Sequence, residues 1–234
     1  MTLSAQSVIK ELRQLGTPAK AKASARFSKI EKGEYGYGDF FWGVTVPEQR
    51  KIAKQYLTLD LKEIAKLLKS QIHECRRTAL LILVNKYRCS NEATQAKIVQ
   101  FYLKHKKRVN NWGLVDSSAS YILGDYLLRH DRSVLYRLAG SQNLWERRIA
   151  IIATLAFIRA NHYQDTLKIA KLLLYDSHDL IHKAVGWMLR EVGKKSLPAE
   201  EEFLRQHAKV MPRTMLRYAI EKFPEEKRQM YKVL

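Results

Sequence analysis

Trp112 and Asp116 stand four residues apart in the segment Asn110-Asn111-Trp112-Gly-Leu-Val-Asp116. If the segment is helical, that spacing puts an indole and a carboxylate on one face. The core stripe predicted for this helix is Val115, Ala119, Ile122 and Tyr126, so the pair sits just beside it, at the edge of the buried surface. Aspartate is a modest helix former and costly to desolvate, so an acid at such an edge needs an internal partner or a function. The chemistry open to it is that of a single carboxylate, which can offset a developing positive charge and orient or deprotonate water. The structural role open to it is to cap a helix or pair with an arginine of the next repeat, and spacing alone favours that plainer role. Neither Cys75 nor Cys89 has a second Cys or His at a metal-ligand spacing, so no metal and no cofactor are expected. The stretch Gly33-Glu-Tyr-Gly-Tyr-Gly38 has aromatic interleaving but no following strand and no Lys-Ser/Thr pair of a phosphate cradle, so it is predicted to be a loop.

The elements that hold the pair are predicted to be helical throughout. The 234 residues are 46% hydrophobic, with only 10 Gly and 5 Pro, which suits packed helices rather than short strands joined by turns. Apolar residues recur at three- and four-residue steps, as in Leu61, Ile64, Ala65, Leu67 and Leu68, the spacing of one helix face. Breaks are predicted at Gly16 to Pro18, Gly33 to Gly38, Ser90-Asn91, Gly140 to Asn143, Asp176 to Asp179, Pro198 and Pro224. Ten or so short helices follow.

Charge narrows the partner. Against 23 Asp+Glu stand 42 Lys+Arg, a formal net charge of +19, and such a field draws a polyanion whose phosphates release counterions on contact with Lys and Arg. Two cysteines make no disulfide framework, which fits a reducing cytoplasm. The first fifteen residues alternate apolar and polar types around Val8, Ile9, Leu12 and Leu15, so they are predicted to be a helix and not a signal peptide. No run approaches the roughly 18 apolar residues of a membrane span.

Four segments place basic residues ahead of an apolar helix: Arg76-Arg77-Thr-Ala-Leu-Leu, Arg147-Arg148-Ile-Ala-Ile-Ile, His182-Lys183-Ala-Val-Gly-Trp and Pro212-Arg213-Thr-Met-Leu-Arg. Their spacing, about 30 to 47 residues per repeat once Trp112 to Leu127 is counted as a divergent unit, indicates a HEAT-like α-solenoid of helical hairpins. The expectation is one all-α domain over 1–234, with helices in about 1–60 capping it and a curved basic groove lined by the repeats. Arg77, Arg148, Lys183 and Arg213 then suit a DNA phosphate backbone. Each could equally form an inter-repeat ion pair or bind backbone carbonyls.

Taken together, Asn111-Trp112-Gly-Leu-Val-Asp116, Leu144-Trp145-Glu-Arg-Arg148, Lys183-Ala-Val-Gly-Trp187-Met-Leu-Arg190-Glu191 and Met211-Pro-Arg213-Thr-Met-Leu-Arg217 closely resemble the AlkD-like DNA alkylation repair proteins. The similarity runs from Phe41-Trp-Gly-Val44 to Pro224. What the resemblance implies is a glycosylase that hydrolyses the N-glycosidic bond of cationic alkylated purines such as 3-methyladenine and 7-methylguanine in duplex DNA. By position Asp116 matches the catalytic carboxylate, Trp112 and Trp187 the aromatic pair flanking the lesion, and Arg148 the arginine beside the carboxylate. Arg77, Lys183, Arg190, Arg213 and Arg217 form the expected DNA-binding set. The chain departs from the best-known member at Asn111, where a second aromatic stands, and at Gly113, a usually acidic position. Trp112 and Trp187 also have a plain reading as core, and Trp145, Trp42 and Phe27 are expected to be structural.

The chemistry agrees with the resemblance. A purine alkylated at N3 or N7 is already cationic and leaves neutral, so no general acid is needed, and charge develops on the sugar as an oxocarbenium ion. One carboxylate then suffices, where ordinary glycoside hydrolysis commonly uses two. Each Trp can attract the electron-poor nucleotide by about 0.5–2 kcal/mol. No lysine is singled out as a Schiff-base nucleophile, so strand cleavage is not expected and the enzyme is expected to be monofunctional; a monomer without an obligate protein partner is a separate expectation. The resemblance further implies action without insertion of the base into a deep cavity, unlike most glycosylases. Alternatives are a non-catalytic HEAT-like protein that binds damaged or branched DNA, and a scaffold for RNA or an acidic protein. Asp116 separates them from the enzyme, because a pure binder has no use for a carboxylate facing polyanionic DNA.

Overall fold

A computed structural model describes residues 3–233. These form helices and short connections, with one isolated bridge between Phe40 and Ile72 in place of any sheet. Packing divides the chain, predicted as one domain over 1–234, into two compact units, one ending at Ser118 and the other beginning at Ala119. No helix among the described residues is long and apolar enough to cross a membrane.

The first unit holds α1 (Ala5–Leu15), α2 (Pro18–Ser28), α3 (Val46–Gln55), α4 (Leu61–Leu68), α5 (His73–Arg88), α6 (Glu92–Lys104) and α7 (Trp112–Asp116). Its centre is α5, whose run Ala79-Leu-Leu-Ile-Leu-Val84 is buried on every side, and α3 and α4 pack against it. Local chemistry sets the helix starts. Thr45 and Glu48 form a reciprocal capping box at α3, and Asn91 accepts the Thr94 N–H at α6, each satisfying N–H groups that the helix leaves unpaired. The helix predicted for the N-terminus is α1, and Ala5, Val8 and Leu12 bury its apolar stripe.

The second unit holds α8 (Ser133–Ala139), α9 (Leu144–Ala153), α10 (Leu155–Arg159), α11 (Gln164–Leu172), α12 (Asp179–Lys195), α13 (Leu197–His207), α14 (Arg213–Ala219) and α15 (Glu225–Lys232). Here α12 is central, packed on α9, α13 and α14. Gly186 permits the close α12–α14 approach: a Cβ there would overlap the Met215 carbonyl oxygen and the Tyr218 Cβ and stand 3.2 Å from the Ala219 nitrogen. Gly186→Ala is therefore expected to cost about 1–3 kcal/mol by overpacking, read as a lower denaturant midpoint at unchanged slope.

The repeats are visible in register. Arg77, Arg148 and Lys183 are each the fifth residue of their helix, while Arg213 is the first of its own. The residue before each of the three has a shared job. Arg76 donates to the carbonyls of Ser70 and Gln71 at 3.0 and 3.2 Å, and Arg147 to those of Ser141 and Gln142 at 3.0 and 2.9 Å. His182 bonds the Asp176 carbonyl through Nε2. Each clamp reaches six residues back into the preceding turn, satisfying carbonyls that the end of one helix leaves open.

Two predicted details differ. The helix expected to run from Asn110 to Asp125 stops at Asp116 and resumes as a π-helical turn over Ser120–Gly124. Ser117 and Ser118 donate back to the Gly113 and Leu114 carbonyls at 2.8 and 2.7 Å, competition that disfavours a continuous α-helix. The π turn inserts a residue and shifts the register, so Leu123 and Leu127 are buried where Tyr126 was predicted, and Tyr126 instead stacks on His130 at 3.8 Å. The break predicted at Pro198 falls at Ser196, because proline is tolerated within the first turn of α13.

Glu200 on α13 is 2% exposed and its carboxyl lies against Gly193, where a Cβ would overlap it. Burial pushes this carboxyl up to about 8, the charge of Glu201 adds to the rise, and Arg190 opposes it. Its unfolded value is near 4.5, so the folded form holds the extra proton between those limits, and stability present below pH 4.5 is lost as pH rises towards 8. Glu200→Gln should raise the melting temperature by several degrees at pH 8.5 and by almost nothing at pH 4, at about 2–4 °C per kcal/mol for a chain of this size. Equal gains at both pH values would mean that folding leaves the affinity of this carboxyl for its proton unchanged.

Candidate active site

The short helix α7 is anchored at both ends and along its buried side. It starts on Asn111, which is 0% exposed and whose Oδ1 accepts the Gly113 N–H at 3.0 Å. Leu114 and Val115 are fully buried. At its end the Ser118 hydroxyl meets the Tyr102 hydroxyl at 3.1 Å. Burial drives the Tyr102 phenol well above its ordinary value, and the negative charge of Asp116 adds to that rise. Such anchoring holds the two side chains that α7 leaves partly exposed, Trp112 and Asp116. Asp116 is thus neither sealed in an apolar layer nor loose on a surface.

Trp112 has a neighbour that the sequence did not single out. The Phe27 ring meets it edge to face, with centroids 5.4 Å apart and planes at 82°. Phe27 is nevertheless 70% exposed, against the expectation that it is structural. It sits at the end of α2, whose Lys20, Lys22 and Arg26 make that helix basic. A lone aromatic in an alanine-rich basic helix has no periodic signal, so only the fold could bring it to Trp112. The Tyr35 hydroxyl donates to the Phe27 carbonyl at 3.4 Å.

The loop predicted over Gly33 to Gly38 is a loop, with φ of 90° at Gly33 and 87° at Gly38, backbone that favours glycine. It is fixed to the start of α5 by a buried polar knot. Asp39 takes the Arg76 guanidinium at 2.6 Å and His73 Nδ1 at 3.1 Å, and Phe41 stacks on His73 at 4.8 Å. Burial would raise the Asp39 carboxyl, but the His73 bond and the Arg76 charge outweigh it and hold it below its ordinary value. Burial pushes His73 down to about 4, so the imidazole is neutral at physiological pH. Next to it the Glu74 carboxylate gathers the N–H groups of Trp42, Gly43 and Val44 at 3.1, 2.8 and 3.3 Å, which accounts for Trp42 as a structural residue.

Arg77 is half-buried rather than projecting. Its guanidinium lies over Gly113: a Cβ at that position would overlap Nη2 and stand 3.3 Å from Cζ. Burial lowers its proton affinity, while the carboxylates of Glu74 and Asp116 raise it and Arg50 opposes them.

The second unit carries the remaining predicted residues. Arg148 is 5% exposed and donates through Nη1 to the Leu180 carbonyl, fixing the first turn of α12. Seven residues further along that helix, Trp187 is partly exposed, and its indole N–H donates to Glu191 at 3.1 Å. Lys183 pairs with Asp179 at 2.6 Å, and Arg190 pairs with Glu221. Arg213 and Arg217 are exposed on α14, and Arg213 donates to the Lys232 carbonyl at 2.8 Å. Trp145 is buried, as expected. The basic motifs therefore divide by register. The fourth-position residues clamp carbonyls, and of the DNA-binding set only Arg213 and Arg217 are fully on the surface.

Comparison with known proteins gives a consistent answer. Residues 8–223 match the model of the DNA alkylation repair enzyme family. Among solved structures the chain is similar to a predicted DNA alkylation repair enzyme from Enterococcus faecalis, with 18% identity, a TM-score of 0.69 and coverage of 90% of this chain and 97% of that one. It is also similar to AlkD2 from Streptococcus mutans, with 18% identity, a TM-score of 0.57 and coverage of 88% and 98%. No curated protein matches at a comparable level. With a family match across nearly its whole length, on an all-helical frame that these solved structures share, this chain belongs to the DNA alkylation repair enzyme family.

Proposed function

We propose that the protein is a monofunctional DNA glycosylase that excises cationic alkylated purines from duplex DNA at the first step of base excision repair. The observation that carries this reading is the Trp112–Asp116 pair, partly exposed on a helix whose other residues are buried or bonded. A half-buried carboxylate in a chain of net charge +19 is an arrangement suited to opposing positive charge that appears only in the transition state.

In this proposal Asp116 offsets the oxocarbenium charge on the deoxyribose and directs the attacking water, while the purine departs neutral with its own methyl-derived charge quenched. Trp112 and Trp187 are proposed to attract the electron-poor nucleotide by cation–π contact, with Phe27 packed against Trp112 at 82°. Arg148, through its bond to the Leu180 carbonyl, keeps the helix of Trp187 in place. The exposed cations Arg213 and Arg217, with Lys183 and Arg190 released from Asp179 and Glu221 by competing phosphates, hold the duplex. The protein is proposed to work as a monomer in the cytoplasm.

The experiment is incubation of purified protein with methylated duplex DNA and chromatography for free 3-methyladenine and 7-methylguanine, with Asp116→Asn alongside. Base release by the wild type is expected. Tight binding of damaged duplex without release would instead support a binding protein.

A further inference from the structure

Position 113 is a buried glycine within α7, and the structure gives the missing side chain a use. With no side chain at Gly113, the Arg77 guanidinium occupies the place a Cβ would take. Residue 113 and Asp116 are three apart on α7, so they share a face, with Cβ positions about 5–6 Å apart. An arginine lying on Gly113 is therefore one helical turn from the Asp116 carboxylate. We infer that Arg77 is a positioning residue for Asp116, admitted to the carboxylate's side of α7 because residue 113 is glycine, and not a phosphate contact. The inference rests on the glycosylase reading for the task that Asp116 performs.

Three further observations support it. Arg77 and Asp116 attract one another electrostatically. The nearer acid on its own helix, Glu74, is already engaged by the N–H groups of Trp42, Gly43 and Val44, which leaves it less able to compete for the guanidinium. Arg77 is also held on α5, the best-buried helix of its unit, so its charge is fixed in place rather than swinging on a surface. A fixed cation beside a carboxylate keeps it ionised and aimed without reorganisation during the reaction.

The test uses Arg77→Gln, Arg77→Lys and Gly113→Ala in the full chain. Single-turnover base release at saturating enzyme should fall about tenfold to a hundredfold in Arg77→Gln and Gly113→Ala, with duplex affinity within about twofold of wild type and an unchanged salt slope. Arg77→Lys, which keeps the charge, should recover part of the loss. If instead Arg77→Gln weakens affinity, flattens the salt slope by about one and leaves the saturated rate intact, Arg77 is a phosphate contact and the inference is wrong. A second readout needs no activity: a double-mutant cycle of Arg77→Gln with Asp116→Asn in denaturant unfolding should be non-additive, and strict additivity would overturn the pairing. Coupling in that cycle together with no base release by the wild type would leave the pair standing and remove the glycosylase reading.

Discussion

Asp116→Asn is expected to lower single-turnover release of methylated purines by about a hundredfold or more, while duplex affinity stays the same or tightens. The two halves of this expectation come from one physical fact. A carboxylate near DNA phosphates is repulsive in the bound ground state, so neutralising it removes a cost of binding. The same charge becomes favourable only when the glycosidic bond lengthens and the sugar acquires positive charge, so neutralising it removes stabilisation from the transition state alone. Asparagine preserves the shape and most of the hydrogen bonding, and α7 is anchored through Asn111, Leu114, Val115 and Ser118 rather than through residue 116. The variant should therefore fold normally and fail chemically. Equal release by Asp116→Asn and wild type would take the carboxylate out of the reaction.

A smaller loss at Trp112→Ala would fit an aromatic that contributes about 0.5–2 kcal/mol of cation–π attraction. Phe27 gives that measurement a control. Its ring packs against Trp112 at 82° and is not proposed to contact the nucleotide, so Phe27→Leu should affect release less than Trp112→Ala does.

How much of this was legible in the sequence depends on the range of the interaction. The helical class and most breaks follow from local rules, since a period of three and four residues and a Gly, Asn or Asp at a boundary act within a few positions. The doubled basic residues at 76–77 and 147–148 announced the repeats, yet their division of labour was hidden. Arg76 and Arg147 bind carbonyls five and six residues back, whereas Arg77 and Arg148 act on α7 and α12. Only three-dimensional packing separates neighbours of identical type. The π turn was unreadable for a related reason: hydroxyls of Ser117 and Ser118 that capture carbonyls change the register without changing the apolar pattern. Phe27 at Trp112 spans more than eighty residues of chain, and no spacing argument reaches that far. The Trp112–Asp116 pair was legible because four residues is one helical turn, and it survives in a helix that is barely longer than that turn.

Duplex affinity is expected to fall about a thousandfold between 50 and 200 mM salt if six or more phosphates are contacted. The structure refines which cations should carry that slope. Arg148 is 5% exposed with a carbonyl to satisfy, so Arg148→Gln should lower the melting temperature without changing the salt slope. Arg217 is exposed on α14, so Arg217→Gln should reduce the slope by about one and weaken binding alike for damaged and undamaged duplex. Lys183 and Arg190 fall between these cases, because each must exchange Asp179 or Glu221 for a phosphate; an exposed pair is worth about 0–1 kcal/mol, little enough for a phosphate to replace it. Fluorescence anisotropy across a salt series measures Arg148→Gln, Lys183→Gln, Arg190→Gln and Arg217→Gln on one scale. A flat response in the wild type would mean that the excess of 42 basic over 23 acidic residues serves something other than a duplex backbone.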